Sequence, residues 1–268
     1  MTTIAEPIRA LLADAGLDSD EVAVLIRLAV EEDLDGGVDV TTVATVPAGQ
    51  QATLDLVARR PGVVAGAPVA AAVFSYVCGD AARITIVSPD GTSVAKGDVV
   101  VSVTGPTHSL LTAERPALNM LGHLSGIATL TRRWVDEIAG TGAAIRDTRK
   151  TTPGMRRLEK YAVRCGGGQN HRMSLSDAAL VKDNHIAAAG GVEQAFGLIR
   201  ANAAHLPIEI EVDTIDQLRT AIKAGADVVL LDNMPPAVMR EAVQVVTAHR
   251  ASTGHAVLLE ASGGLTLD

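Results

Sequence analysis

Apolar residues recur at helical spacing from the start of the chain. Ile4, Ile8, Leu11 and Leu12, then Val22, Leu25, Ile26 and Ala29, predict two helices within residues 4–32, parted at Gly16. The acidic stretch "EEDLDGGVDVTT", ending at Thr41-Thr42, is expected to be a loop. From 50 to 105 the pattern shortens to alternation. "ATLDLVARR", "GVVAGAPV", "ARITIVS" and "DVVVSVTG" are β-rich runs, with turn signals at Asp90-Gly91 and Gly97-Asp98. They predict a mostly antiparallel sheet and one Ala-rich helix near residues 67–78.

Helical spacing returns with Ala117, Leu121, Leu124, Ala128 and Val135 on one stripe. Proline suits a helix's first turn, so Pro116 predicts a helix start near itself, with Glu114 and Arg115 at the mouth. From about 143 onward short apolar runs alternate with helical segments. The runs are "AAIRDTRK", "AALVKDNHI", "PIEIEVD", "ADVVLLDNM" and "AVLLEASGG", and the helices between include 192–204, 214–224 and 235–251. Such alternation predicts a parallel sheet, and polar residues gathered where the strands end predict a βα barrel or open α/β sheet with its site on that edge.

"IEIEVD" sharpens this reading. Ile208, Ile210 and Val212 share one strand face, and Glu209, Glu211 and Asp213 share the other. Helices cover the outside of a barrel, so the acids are expected inside, where cations or a metal must offset their desolvation. An edge strand with a wet polar face is the alternative.

Charge changes the picture further. The chain of 268 residues carries a net charge of −8, yet the window Arg146–Arg172 holds six Arg and two Lys against only Asp147 and Glu159. Aromatics make up 2% of the chain, so base-stacking platforms are scarce, and a local basic patch on an acidic protein suits a small anionic ligand better than nucleic acid. Cys78 and Cys165 lack metal-site spacing and read as reduced thiols, Cys165 beside Arg164 without an adjacent base. The N-terminus lacks a basic region followed by an apolar core, and no apolar run reaches membrane-spanning length, so a cytoplasmic location away from the membrane is expected.

Several cations fall where strands or loops end: Arg149-Lys150, His171-Arg172 after the run Gly166 to Gly168, and Lys182. Arg offers carboxylates and phosphates a planar fork, and Lys a mobile point charge. Glu211, Asp232 and Glu260 lie on later strands. Cations facing anions suit a substrate negative at its ends and positive in the middle, the charge pattern of ribosyl transfer from a pyrophosphate. "EASGGLT" offers a glycine turn whose N–H groups suit a phosphate.

The ordered segments "EDLDGGVDVTT", "ERPALNMLGHLSGIATLT", "DTRKTTPGMRRLEKYAVRCGGGQNHRMSLSDAALVKDNHI", "EVDTIDQL", "AGADVVLLDNM" and "LEASGGLT" resemble the quinolinate phosphoribosyltransferase family, also called nicotinate-nucleotide pyrophosphorylase (carboxylating). The resemblance runs from about residue 31 to the end. It implies an N-terminal α/β sandwich domain over 1–112 and, over 113–268, an α/β barrel of fewer than eight strands carrying the active site. It implies an enzyme that makes nicotinate mononucleotide, pyrophosphate and CO2 from quinolinate and phosphoribosyl pyrophosphate, with magnesium, for NAD synthesis.

Carried over by motif, Arg149, His171 and Arg172 are expected to hold the quinolinate carboxylates, with Thr148 as a further contact. Lys150 and Lys182 are expected to serve quinolinate and the pyrophosphate. Glu211 and Asp232 are expected to face the ribose and the magnesium, directly or through water. Lys150, Lys182, Glu211 and Asp232 form the expected catalytic set, and Ser262, Gly263 and Gly264 are expected to take the 5′-phosphate. Arg115 matches an arginine that the family sends into the neighbouring subunit's site, which implies a homodimer. The family pattern continues past "GGLTLD", so a C-terminally shortened barrel with an incomplete phosphate site is expected. Rival readings are a paralogue with another substrate, a non-catalytic phosphate-ligand-binding dimer, and an unrelated barrel enzyme using Lys182 as a Schiff base.

Overall fold

The alternating run "ATLDLV" forms strand β1 (Gln51–Val57) of the computed structural model, which describes residues 3–203 and 205–267. The chain divides into two compact units, Met1–His171 and Arg172–Asp268.

In the first unit, helices α1 (Glu6–Asp14) and α2 (Ser19–Leu34) flank Gly16, as the apolar spacing predicts. Asp18 starts α2 by accepting hydrogen bonds from the backbone N–H groups of Asp20 and Glu21. Both ends of the expected acidic loop are helical instead, Glu31–Leu34 closing α2. Asp39 caps the backbone N–H of Thr42 and so starts the short helix α3 (Val40–Thr45). Strand β1 pairs antiparallel with β5 (Val99–Pro106), which pairs with β3 (Arg83–Ile86), and β2 (Gly62–Val63) pairs separately with β4 (Ser93–Val94). Gly91 and Gly97 take φ of 82° and 100°, the left-handed turn backbone the sequence signals.

The Ala-rich helix α4 (Ala67–Cys78) is apolar all round and lies at the centre of this unit's core. The Asp90 carboxylate accepts hydrogen bonds from the N–H groups of Gly66 and Ala67 at its positive end. Helix α5 (Thr107–Glu137) begins well before the expected start near Pro116, so Pro116 sits inside it and Arg115 on an exposed turn rather than at a helix mouth. Proline there forfeits one backbone hydrogen bond. Leu110, Ala113, Ala117 and Leu124 are all buried, and at about 1.5–3 kcal/mol for each large apolar side chain their burial outweighs that loss. Helix α6 (Arg156–Cys165) packs against α5.

The second unit is a parallel α/β assembly. Strands β6 (Ala179–Val181), β7 (Ile208–Val212), β8 (Val228–Asp232) and β9 (Leu258–Ser262) lie side by side in chain order. Helix α7 (Asp183–Ala189) follows β6, and α8 (Val192–Ala203), α9 (Ile215–Lys223) and α10 (Pro236–Thr253) fall on the expected segments. Position 204, the last of the first of those segments, lies outside the described residues. Ile210 and Val212 join a core with Phe196, Leu218 and Ala221, so the apolar face of "IEIEV" meets helices, as anticipated. The run "AAIRDTRK" does not become a ladder strand. Arg146 and Gln169 form one isolated parallel bridge, and the Asp147 side chain bonds to side chains and backbone around it instead.

Candidate active site

In the first unit the segment carrying Thr148, Arg149 and Lys150 is held by local bonds. Thr148 Oγ1 accepts from the Lys150 N–H at 3.0 Å, and the Arg149 carbonyl accepts from the Thr151 N–H at 2.9 Å. Arg149 is half-buried, and its Nε is a buried donor with no acceptor among the described residues. A guanidinium N–H left in that state is unfavourable until an anion meets it. Lys150 is exposed, and no hydrogen bond or ion pair of its ammonium is found among the described residues.

His171 is placed by its backbone. Its N–H donates to Asp147 Oδ1 at 2.8 Å, and its carbonyl accepts from Lys160 Nζ at 2.9 Å. The glycines before it serve packing. A Cβ on Gly166 would strike Thr131 and the Ala128 carbonyl of α5, and one on Gly168 would strike Val163.

Part of the basic window is engaged by other groups of the protein, at the surface as well as in the core. Lys160 is fully buried and paired with Asp147. Arg157 pairs with Glu21 at 2.7 Å, and Arg164 donates to Asn170 and to the Ala15 carbonyl. Asp147 lies in the loop before α6 and Lys160 about one turn into the helix, a separation that leaves no periodic signal in the sequence. Burial pushes the Cys165 thiol up to about 11, so it is not a thiolate at neutral pH.

In the second unit the charged groups sit at strand ends. Pairing of Val181 with Ile210 sets Lys182 beside Glu211, and Lys182 Nζ lies 2.7 Å from Glu211 Oε2. Glu211 is 12% exposed and Lys182 46%, so the pair has a sheltered carboxylate and an accessible ammonium. Asp232 and Ser262 are register partners at the ends of β8 and β9, and Asp232 Oδ2 accepts from Asn233 Nδ2. Arg172 donates to the Ala178 carbonyl at 2.9 Å.

Gly263 and Gly264 follow β9 with φ of 85° and 65°. A Cβ on Gly263 would collide with the Asn233 side chain, so both backbone angle and space demand glycine there. Carboxylate oxygens are the hard donors magnesium takes. Among the described residues Glu211 Oε1 and Asp232 Oδ1 accept no hydrogen bond, and carboxylate oxygens in that state are of the chemical kind magnesium takes.

A cavity of about 620 Å³ in the first unit, walled by Leu56, Val63, Leu118 and Leu121, contains none of the expected site residues. A second, of about 520 Å³ in the second unit, includes Arg172 alone of that set.

Two family models match the chain. The quinolinate phosphoribosyl transferase N-terminal domain matches residues 39–125 and its C-terminal domain residues 127–268. The chain belongs to the quinolinate phosphoribosyl transferase family. A nicotinate-nucleotide pyrophosphorylase [carboxylating] of Mycobacterium leprae is 49% identical over 91% of this chain and 84% of that protein. The human protein of the same name is 41% identical over 79% of this chain and 70% of its own length. The crystal structure of NadC from Streptococcus pyogenes superposes with a TM-score of 0.86 at 37% identity, over 94% of this chain and 86% of that one. Family membership accords with the α/β architecture of a small sheet unit and a parallel-strand unit.

Proposed function

We propose that this chain catalyses transfer of the phosphoribosyl group of phosphoribosyl pyrophosphate to quinolinate, with decarboxylation, in NAD biosynthesis. The observation that carries this reading is the buried, unsatisfied Nε of Arg149 within the family's "DTRK" segment. The names of relatives 49% and 41% identical support the same reaction.

In this reading Arg149, His171 and Arg172 hold the two carboxylates of quinolinate, with Thr148 beside them, and so aim the ring nitrogen at C1 of the ribose. The nitrogen–C1 bond forms as the C1–oxygen bond to pyrophosphate breaks. Lys150 and Lys182 offset the growing charge on the pyrophosphate, and Glu211 and Asp232 stabilise positive charge at the ribose. Glu211 and Asp232 are also the residues to hold magnesium, which when bound supplies further charge neutralisation to the pyrophosphate. Ser262, Gly263 and Gly264 take the 5′-phosphate. In the second stage the ring's neighbouring carboxylate leaves as CO2. Its electron pair stays on the ring carbon, beside the now cationic nitrogen, until a proton replaces it.

The smallest active unit in this reading is a homodimer, with Arg115 reaching the partner's site. Its exposure on α5 supports that role. Among the described residues no helix is long and apolar enough to cross a membrane, and Cys78 and Cys165 are free thiols, which support a cytoplasmic setting. Equilibrium binding tests the specificity. Quinolinate should bind tightly and pyridine acids with one carboxylate weakly. Equal affinity for both classes would contradict the two-carboxylate clamp.

A further inference from the structure

Glu159 and Lys160 are adjacent on α6, and both are buried, at 8% and 0% exposure. Successive helical side chains point about 100° apart, so the two reach different segments. Glu159 Oε2 accepts the Thr152 N–H at 3.1 Å, just after Arg149 to Thr151, and Oε1 meets His123 Nε2 at 2.8 Å. Lys160 pairs with Asp147 and donates to the His171 carbonyl, while Asp147 accepts the His171 N–H. Asn170 closes the cluster, donating to Asp147 Oδ2 and to the Lys160 carbonyl at 2.8 Å. Both backbone polar groups of His171 therefore end on one buried ion pair.

An ion pair withdrawn from water is no efficient source of stability, because apolar residues of similar volume commonly do as well or better. What it does supply is direction: a donor and an acceptor fixed at one point each. We propose that Lys160 and Asp147 are positioning residues that set the His171 backbone, and with it the side chains of His171 and Arg172, for the carboxylates of quinolinate. This inference rests on the reaction proposed above. Lys160 and Asp147 act through His171 and touch no reacting atom.

The test compares wild type, Lys160→Met and the double variant Lys160→Met/Asp147→Asn, which removes both charges together and so leaves neither buried alone. Folding is checked by circular dichroism and thermal unfolding, and KM is measured for each substrate. In the folded double variant the KM for quinolinate should rise about tenfold or more, the loss expected when one buried hydrogen bond no longer sets a charged contact. The KM for phosphoribosyl pyrophosphate should stay within about threefold, a shift too small to report a lost contact. An unchanged quinolinate KM, or an equal rise for both substrates, overturns the inference. So does a double variant that cannot fold, since the pair then serves stability. Wild type without quinolinate turnover overturns the reaction reading and this inference with it, an outcome separable from the others because it appears before any substitution.

Discussion

Lys182 and Glu211 stand 2.7 Å apart at the ends of neighbouring parallel strands, a cation and an anion locked side by side. The pair holds the ammonium at the strand edge, and Glu211 Oε1 accepts no hydrogen bond among the described residues. Lys182→Met and Glu211→Gln, alone and combined, should lower kcat/KM for phosphoribosyl pyrophosphate non-additively, with a coupling of about 0.5–3 kcal/mol. Strictly additive losses in the cycle would show that the two act independently.

Arg149 Nε is a buried donor without an acceptor among the described residues. Arg149→Ala should weaken quinolinate binding by about 2–4 kcal/mol, the loss typical of a desolvated charge-assisted contact. Arg149→Lys should recover little of it, because an ammonium cannot reproduce the planar fork. Titration calorimetry reads both, and unchanged affinity in the alanine variant would remove Arg149 from the site.

Gly263 and Gly264 differ in a way that stability can report. An alanine at Gly264 meets no atom within 4 Å and suffers only its left-handed backbone, about 1–2 kcal/mol. Gly263→Ala adds a collision with Asn233, so its melting temperature should fall further and its KM for phosphoribosyl pyrophosphate should rise more. Equal melting temperatures for the two variants would show that Asn233 yields freely.

Burial alone would raise the Glu159 carboxyl, but hydrogen bonds from Thr152 and His123 outweigh it and hold the group below its ordinary value of 4.5. A depressed folded-state value means stability that is present above 4.5 and lost as pH falls through the folded value. Wild type should therefore melt higher than Glu159→Gln at pH 7, and the gap should narrow as pH drops below about 4.5. A gap independent of pH would place the effect in packing rather than charge.

If Arg115 serves the partner's site, two inactive variants should complement each other. Equal amounts of Arg115→Ala and Lys182→Met, unfolded and refolded together, should regain about a quarter of wild-type activity, since half the random dimers are mixed and each mixed dimer has one complete site. No recovery, with mixed dimers shown to form, would put Arg115 in its own subunit's site or in none.

Much of the architecture was legible because hydrophobic period carries it. Alternation marked β1, β3 and β5, and the switch between apolar runs and helical stripes marked β6 to β9 and α8 to α10. Local pattern misleads where tertiary contacts override local preference. Pro116 lies inside α5 because buried leucines and alanines on both sides of it hold the helix together. "AAIRDTRK" has strand-like spacing, yet Asp147 spends its carboxylate on Lys160, Asn170 and His171, and the ladder shrinks to one bridge. Charge density singles out the segment Arg146–Arg172, but charge alone does not say which cations face a ligand. Lys160, Arg157 and Arg164 are engaged within the protein, and only long-range geometry tells them from Arg149 and Lys150.

Incubation with phosphoribosyl pyrophosphate, magnesium and quinolinate labelled in the carboxylate next to the ring nitrogen is the most direct test. The account predicts labelled CO2, nicotinate mononucleotide and pyrophosphate in equal amounts, with no CO2 when phosphoribosyl pyrophosphate is left out. Tight binding of both substrates without release of labelled CO2, or CO2 release that does not need phosphoribosyl pyrophosphate, would contradict it.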